Sequence, residues 1–305
     1  MLRRLGGAAL ALAGLSVLCF ALPNWAPGDF LTDAAVNPAL DRSTIDAMRV
    51  RYGLDEPLPV RYGRWLRGLT RGELGLSLSY QVDAATLLLP RLRATLVLNA
   101  FALLLALVAA LPAAAAVGRS GPAFRRAADT AMLAVLSVPE IVLVLILLAT
   151  ALTWEIPLPG GQPEGVVGLL QGLAVPGLAL ALGAAPIFYR HARAAFDEAL
   201  GAPFVAAARH AGVPEVSVQL RYVLPAAANP LISLLGTSLG NLLSASLVVE
   251  TVTGWPGLGP LLLEAVLARD SNVVAGAVLL AATCQIAGNV AADLALMRLD
   301  PRIRL

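Results

Sequence analysis

Apolar residues in this chain come in long unbroken blocks separated by short polar stretches, with neither the alternation of a half-buried strand nor the one-sided stripe of a soluble helix. Six blocks stand out, at about 5–22, 95–117, 130–152, 166–189, 231–253 and 272–297. About 20 apolar residues in a helix cross the roughly 30 Å of bilayer hydrocarbon. The pattern therefore predicts an all-α membrane protein with six transmembrane helices. The first block, "LGGAALALAGLSVLCFAL", follows Arg3 and Arg4, as the core of a signal peptide would. No small-x-small cleavage site follows, so a retained first helix over 1–22 is expected.

Between the first two blocks lies a long polar segment, 23–94, with helical patterning of its own. "STIDAMRVRYG" opens with Ser43 and Asp46 at capping-box spacing and closes on Gly53. In "RYGRWLRGL", Tyr62, Leu66 and Leu69 share one face, with Arg61, Arg64 and Arg67 off it. A helix lying flat at headgroup level and a loop helix packed on the spans both fit this pattern.

Composition agrees: 58% of the 305 residues are hydrophobic and 14% are charged, against roughly 25% charged in a soluble domain. Charge placement gives an orientation. Arg119, Arg125 and Arg126 follow the second block, whereas the next short loop carries Glu155, Glu164 and no arginine. Arg190, Arg193, Arg209 and Arg221 lie in 190–229, and Arg298, Arg302 and Arg304 in the tail 298–305. Positive-inside bias puts both termini and the 190–229 loop in the cytoplasm, with 23–94 outside.

The chain contains no lysine. A P-loop needs one to reach the β- and γ-phosphates, so no Walker-type ATPase site is expected, nor any Schiff-base chemistry. Cys19 and Cys284 sit in apolar blocks as ordinary buried thiols, and His191 and His210 are too few for a histidine metal cluster. No cofactor is expected.

Within the spans, Glu140 after Pro139 is the deepest charge, with Glu250 and Asp293 nearer span ends and Asn99, Gln171, Asn241, Gln285 and Asn289 adding amides. Intramembrane charge is costly and is read as functional, here in a proton relay, a water-filled vestibule or a bond to a neighbouring helix. Pro176 is expected to kink the fourth span. Gly236, Gly240 and Ser244 repeat every fourth residue, a small-residue face for close helix packing, within the chain or against another subunit.

The polar stretch "AAARHAGVPEVSVQLRYVLP" (206–225) reads as helix, turn, helix. Gly212 suits a C′ position, Pro214 a helix start, and Glu215 its first turn. Val216, Leu220, Val223 and Leu224 line one face at α-helical spacing. A DNA-binding helix-turn-helix is set aside, because the loop arginines face Asp197, Glu198 and Glu215 and leave no phosphate footprint. A structural loop and a docking element remain.

These residues resemble the EAA motif of ABC importer permeases, E-A-A-x3-G-x9-I-x-L-P. Ala207, Ala208, Gly212, Leu224 and Pro225 match it, while Ala206 stands in place of the glutamate and Tyr222 in place of the isoleucine. "WAPGD", "RYGLDEPLPVRYGRWL", "RGELGLS", "VVETVTGWPGLGPLLLEAVLARD" and "LDPRIRL" resemble segments of the dipeptide, oligopeptide and nickel branch. The resemblance implies a type I ABC importer transmembrane domain over 95–297, in the bacterial inner membrane. It implies as partners a second homologous permease, two cytoplasmic ATP-binding subunits, an external solute-binding protein and membrane lipid. Ala207, Ala208, Arg209, Gly212, Glu215, Leu224 and Pro225 would then couple to the ATPase, and Glu140, Gly236, Gly240, Asn241 and Ser244 would serve helix packing or the pathway. Glu140 departs from the apolar residue usual in relatives. The rival reading is a secondary transporter or channel using Glu140, but the internal repeats of that class are absent from the sequence. An enzyme would need a nucleophile–base pair, and no His or Cys neighbours a spanning carboxylate in sequence.

Overall fold

Leu98, Ala102, Ala106, Ala110 and Ala114, each fourth residue of one long helix, are all buried. They form a single i+4 ridge of mostly small side chains, as a helix face shaped for close backbone approach should. The computed structural model that shows this describes residues 2–25, 31, 42–118, 120–156 and 165–299. Arg119, Glu164, Arg302 and Arg304, most of "WAPGD" and all but the first residue of "LDPRIRL" lie outside the described residues.

In chain order the helices are α1 (Leu2–Trp25), α2 (Arg42–Arg51), α3 (Leu58–Leu69), α4 (Ala84–Gly118), α5 (Pro122–Leu136), α6 (Glu140–Thr153), α7 (Gly165–Leu200), α8 (Pro203–His210), α9 (Glu215–Val218), α10 (Leu224–Thr253), α11 (Leu258–Leu267) and α12 (Ser271–Leu299). A π turn, Gln219–Val223, joins α9 to α10. Among the described residues there is no strand, only the bridge between Leu76 and Asp83. Among the described residues four helical runs are long and apolar enough to cross a membrane: α4, α7, Glu215–Thr253 and α12. In α1 the apolar stretch is the shorter Ala9–Ala21.

The segment 130–152, expected as one straight span, is instead α5 and α6 meeting at 92°. The break falls at Ser137–Pro139, where Pro139 cannot continue the hydrogen-bond ladder and biases Val138 away from the helical region. Other boundaries also move. α7 runs on without interruption to Leu200 with Pro176 and Pro186 inside it, past the expected end at 189. α2 includes Arg42, so Ser43 lies within the helix and not at its cap.

The chain divides into two compact units, Met1–Ala94 with Gly257–Thr283 and Thr95–Pro256 with Cys284–Leu305. In the first, α3 packs on α1 through aromatic rings: Phe20 lies 5.5 Å from Trp65 and 5.6 Å from Tyr62 between centroids. Tyr62 and Ser16 share a hydroxyl hydrogen bond of 2.9 Å, and the Trp65 indole donates to the Leu74 carbonyl at 3.1 Å. The buried face of α3 is thus Leu58, Tyr62, Trp65 and Leu69, and Leu66, expected on it, is exposed. α3 therefore packs on the first apolar helix, α1.

Asp270 organises the rest of this unit. Fully buried, it accepts hydrogen bonds from Ser77 Oγ (2.6 Å) and Ser79 N (3.1 Å), and caps α12 through Val273 N (3.3 Å). Tyr80 donates to Glu264 of α11 at 2.6 Å, which pushes the Tyr80 phenol pKa up, and Asn272 donates to Leu76 O at 2.8 Å. The 75–83 turn is thereby fastened to α11 and α12.

In the second unit α7 packs against α5, α6 and α10, and α10 also meets α6. Gly177 makes the α7–α4 approach possible, since a Cβ there would fall 2.5 Å from the Phe101 ring. Asn99 of α4 donates to Ser246 of α10 at 3.2 Å. Arg125 turns back onto the end of α4, donating to the carbonyls of Gly118 and of Ser120 (3.0 Å). A cation is favourable there, where helical carbonyls lack partners.

Candidate functional site

The segment following α7 forms a tight corner. Gly212 has φ +78°, its N–H bonds Arg209 O at 3.0 Å, and Val213 N bonds Ala208 O at 3.1 Å. That pair is a Schellman motif, which ends α8 with a left-handed residue where glycine carries no Cβ penalty. Pro214 then precedes α9, as its fixed φ favours.

α8 turns Val205 and Ala208 inward and leaves Ala206, Ala207, Arg209 and His210 on the surface. The inward residues beyond the corner are Val218 and Val223, whereas Val216, Leu220 and Leu224 are exposed. Of the α-periodic face expected from the sequence, Val216, Leu220 and Leu224 share the exposed side, and Val223 has left it for the buried side. The cause is the π turn, which carries a Leu224 N–H to Gln219 O bond and inserts one extra residue per turn. Pro225 accounts for its position: a proline has no N–H to give and its ring crowds the carbonyl four residues back, so the helix opens just before it. Arg209 lies across the corner in a bidentate pair with Glu215, Nη2 to Oε1 at 2.9 Å and Nε to Oε2 at 3.1 Å. Gln219 adds a 3.1 Å bond to the same carboxylate. The hydrogen bonds to Glu215 move the Arg209 guanidinium pKa further up. Both partners are solvated, so the pair orients the corner more than it stabilises it.

One anchoring group at the base of this segment escaped the sequence reading. Asp129 of α5 accepts from Tyr189 (2.8 Å) and Arg193 (3.2 Å) of α7, and Arg193 also reaches Asp197 at 3.3 Å. The Arg193–Asp197 and Tyr189–Arg193 pairs, each four residues apart, had a visible spacing, and Asp129 had none.

The expected packing face of α10 meets α12 within this chain. A Cβ on Gly236 would lie 2.7 Å from Ala292, and one on Gly240 would overlap the Gln285 side chain. Ser244 is on the exposed side, bonding back to Gly240 O at 3.2 Å. Asn241, also exposed, belongs to a different feature, a cavity of about 410 Å³ among α5, α6, α7 and α10. Glu140, Ser238, Asn241 and Gly183 line it, with an otherwise apolar wall that includes Leu180 and Phe188. Among the described residues no group of His, Cys, Asp and Glu could hold a metal ion.

Apolar helices lining an open cavity, with a polar corner between two of them, suit a membrane transport permease. The family described as "Binding-protein-dependent transport system inner membrane component" matches residues 88–305. A candidate peptide permease of Brucella ovis is 34% identical over 304 residues, covering 96% of this chain and 95% of that one. The glutathione transport system permease GsiC of Escherichia coli O6:H1 is 31% identical and the dipeptide transport system permease DppB of E. coli K12 is 28% identical. Each alignment covers all of this chain and 98% of the relative. Among solved structures, a chain of the inward-facing MetNI methionine ABC transporter superposes with TM-score 0.57 at 21% identity, over 70% of this chain and 96% of that one. The chain belongs to the binding-protein-dependent transport system inner membrane component family, and is a multi-pass inner-membrane ABC importer permease. Family and fold set aside the secondary transporter or channel.

Proposed function

We propose that this chain is one of two homologous permeases forming a pathway for peptides or a related small solute such as glutathione or a nickel chelate. An external solute-binding protein delivers the solute, and two cytoplasmic ATP-binding subunits supply the energy. This subunit, without lysine, hydrolyses no ATP itself. Both termini and the 190–229 loop face the cytoplasm, residues 23–94 face outward, 95–297 form the transporting domain, and lipid surrounds the apolar faces. Ala207, Ala208, Arg209, Gly212, Glu215, Leu224 and Pro225 build the coupling helix and its frame. Gly236 and Gly240 pack α10 on α12, and Glu140, Asn241 and Ser244 belong to the pathway side.

The observation that carries this reading is the corner itself. Val205, Ala208, Val218 and Val223 seat it on the helices, while Ala206, Ala207, Val216 and Leu220 project from it. Small and apolar residues held outward on a rigid turn suit a docking surface better than a solvated loop. The test is cross-linking: Ala207→Cys, in a chain lacking Cys19 and Cys284, should form a specific disulfide with single-cysteine ATPase subunits and thereby stop ATP-driven uptake. Accessibility of Ala207→Cys only from outside the cell would refute both the docking and the topology.

A further inference from the structure

Glu140 is the first residue of α6, placed there by the break after α5. It is only half-buried, and among the described residues no hydrogen bond or ion pair engages its carboxylate. Two features border this carboxylate. The positive end of the α6 dipole favours an anion there, with Val142 N and Leu143 N already bonded to Pro139 O. Gly183 leaves room on α7, where a Cβ would stand 3.3 Å from Glu140 Oε1. The cavity beside it, about 410 Å³, lies in the size range of small-molecule sites. Its lining includes no cationic side chain, and Ser238 and Asn241 are its other polar side chains. A lone carboxylate facing a mainly apolar space of this size is screened less than one in bulk water and attracts positive charge.

We propose that Glu140, with Ser238 and Asn241, forms a station for the cationic end of the transported solute, an ammonium or comparable organic cation. This rests on the importer reading above and narrows it: solutes with a free amine pass this subunit in preference to solutes that are anionic at that end. Glu140 supplies the charge, while the Ser238 hydroxyl and the Asn241 amide oxygen accept further N–H hydrogen bonds.

The test reads the charge preference of the cavity directly. Ala245 lines the same cavity without belonging to the polar set. Ala245→Cys is placed in a chain lacking Cys19 and Cys284, and the chain is purified as the complete complex with its partner permease and ATPase subunits. Its reaction rates with a trimethylammonium methanethiosulfonate and with the sulfonate analogue are each divided by the rate for free cysteine. With Glu140 present the normalised cation-to-anion ratio should exceed tenfold, and Glu140→Gln should bring it near one. Equal ratios in the two backgrounds, or no reaction with either reagent, would overturn the proposal. ATP hydrolysis stimulated by the solute-binding protein, measured on the same preparations, tests the importer reading separately. Its absence in the unmutated complex would sink that reading, and its presence alongside equal ratios would sink the cation station alone.

Discussion

Val218 and Val223 are five residues apart and both buried, and the π turn between them puts them on one face. In an α-helix five residues span 500° and the two would diverge by about 140° from a common direction. The consequence is a split between residues that hold the corner and residues that meet a partner. Val218→Ala and Val223→Ala should each destabilise the permease by about 1–3 kcal/mol through lost burial and a residual cavity. Val216→Ala and Leu220→Ala should leave stability nearly unchanged and weaken co-purification with the ATPase subunits. Thermal unfolding in detergent and pull-down, run on all four variants, check this; equal effects in both pairs would show that the register is not used.

Asp270 makes a second prediction, away from the corner. Its two oxygens serve a helix cap and two donors from the 77–79 turn. Asp270→Ala should cost about 2–4 kcal/mol, the sum of a lost cap and stranded buried donors. Amide hydrogen exchange at Ser79 and Val273 should rise together, since one side chain holds both. Asp270→Asn keeps the shape but presents one acceptor oxygen in place of two, and should protect one of the two sites. Unchanged exchange at Ser79 in the alanine variant would show that the turn is held by Tyr80 and Asn272 alone.

Gly240→Leu should prevent normal assembly of α10 on α12. The Gln285 side chain occupies the space beside Gly240 and must move aside for any side chain placed there. Gly240→Ala should already lower the unfolding temperature, and shortening the obstruction with Gln285→Ala should restore part of it. Ser244→Leu, on the exposed side of the same stripe, should be tolerated by the monomer. An additive double variant, with no rescue, would contradict the contact.

What the sequence disclosed and what it hid divide along physical lines. Long apolar blocks specify spanning helices because lipid offers the backbone no alternative partner, and Gly212 was legible because glycine after a helix marks a left-handed cap. The side-to-side register of 216–224 was not legible. It depends on whether Pro225 is accommodated by a kink or by a π turn, and periodicity assumes neither. The break at 137–139 carried a visible signal in Pro139, outweighed by the apolar run on both sides. Asp129 gave no signal and Asp270 only its local cap on Val273, since their other partners lie 60 and 64 residues away in one case and 191 and 193 in the other. The cavity beside Glu140 was hidden for the same reason. Its walls come from α5, α6, α7 and α10, and only Glu140 itself was conspicuous.

Gly212 gives the sharpest test of the coupling proposal, because its environment separates backbone strain from charge. With φ at +78° an alanine is strained, yet a Cβ there would meet nothing within 4 Å. Gly212→Ala should therefore weaken the corner by about 1 kcal/mol through conformation alone. Asparagine and aspartate have nearly the same shape, and both tolerate the left-handed region better than alanine. Any difference between Gly212→Asn and Gly212→Asp then reports the cost of carrying a carboxylate into a desolvated cleft. If the corner seats in an ATPase subunit, Gly212→Asn should keep most of the pull-down and uptake. Gly212→Asp should lose both, and both variants should insert and unfold like the parent protein. Basal hydrolysis by the ATPase subunits should continue in the aspartate variant but no longer respond to the solute-binding protein. Equal pull-down for the two variants would mean that Gly212 stays in water, and the segment would revert to a structural loop.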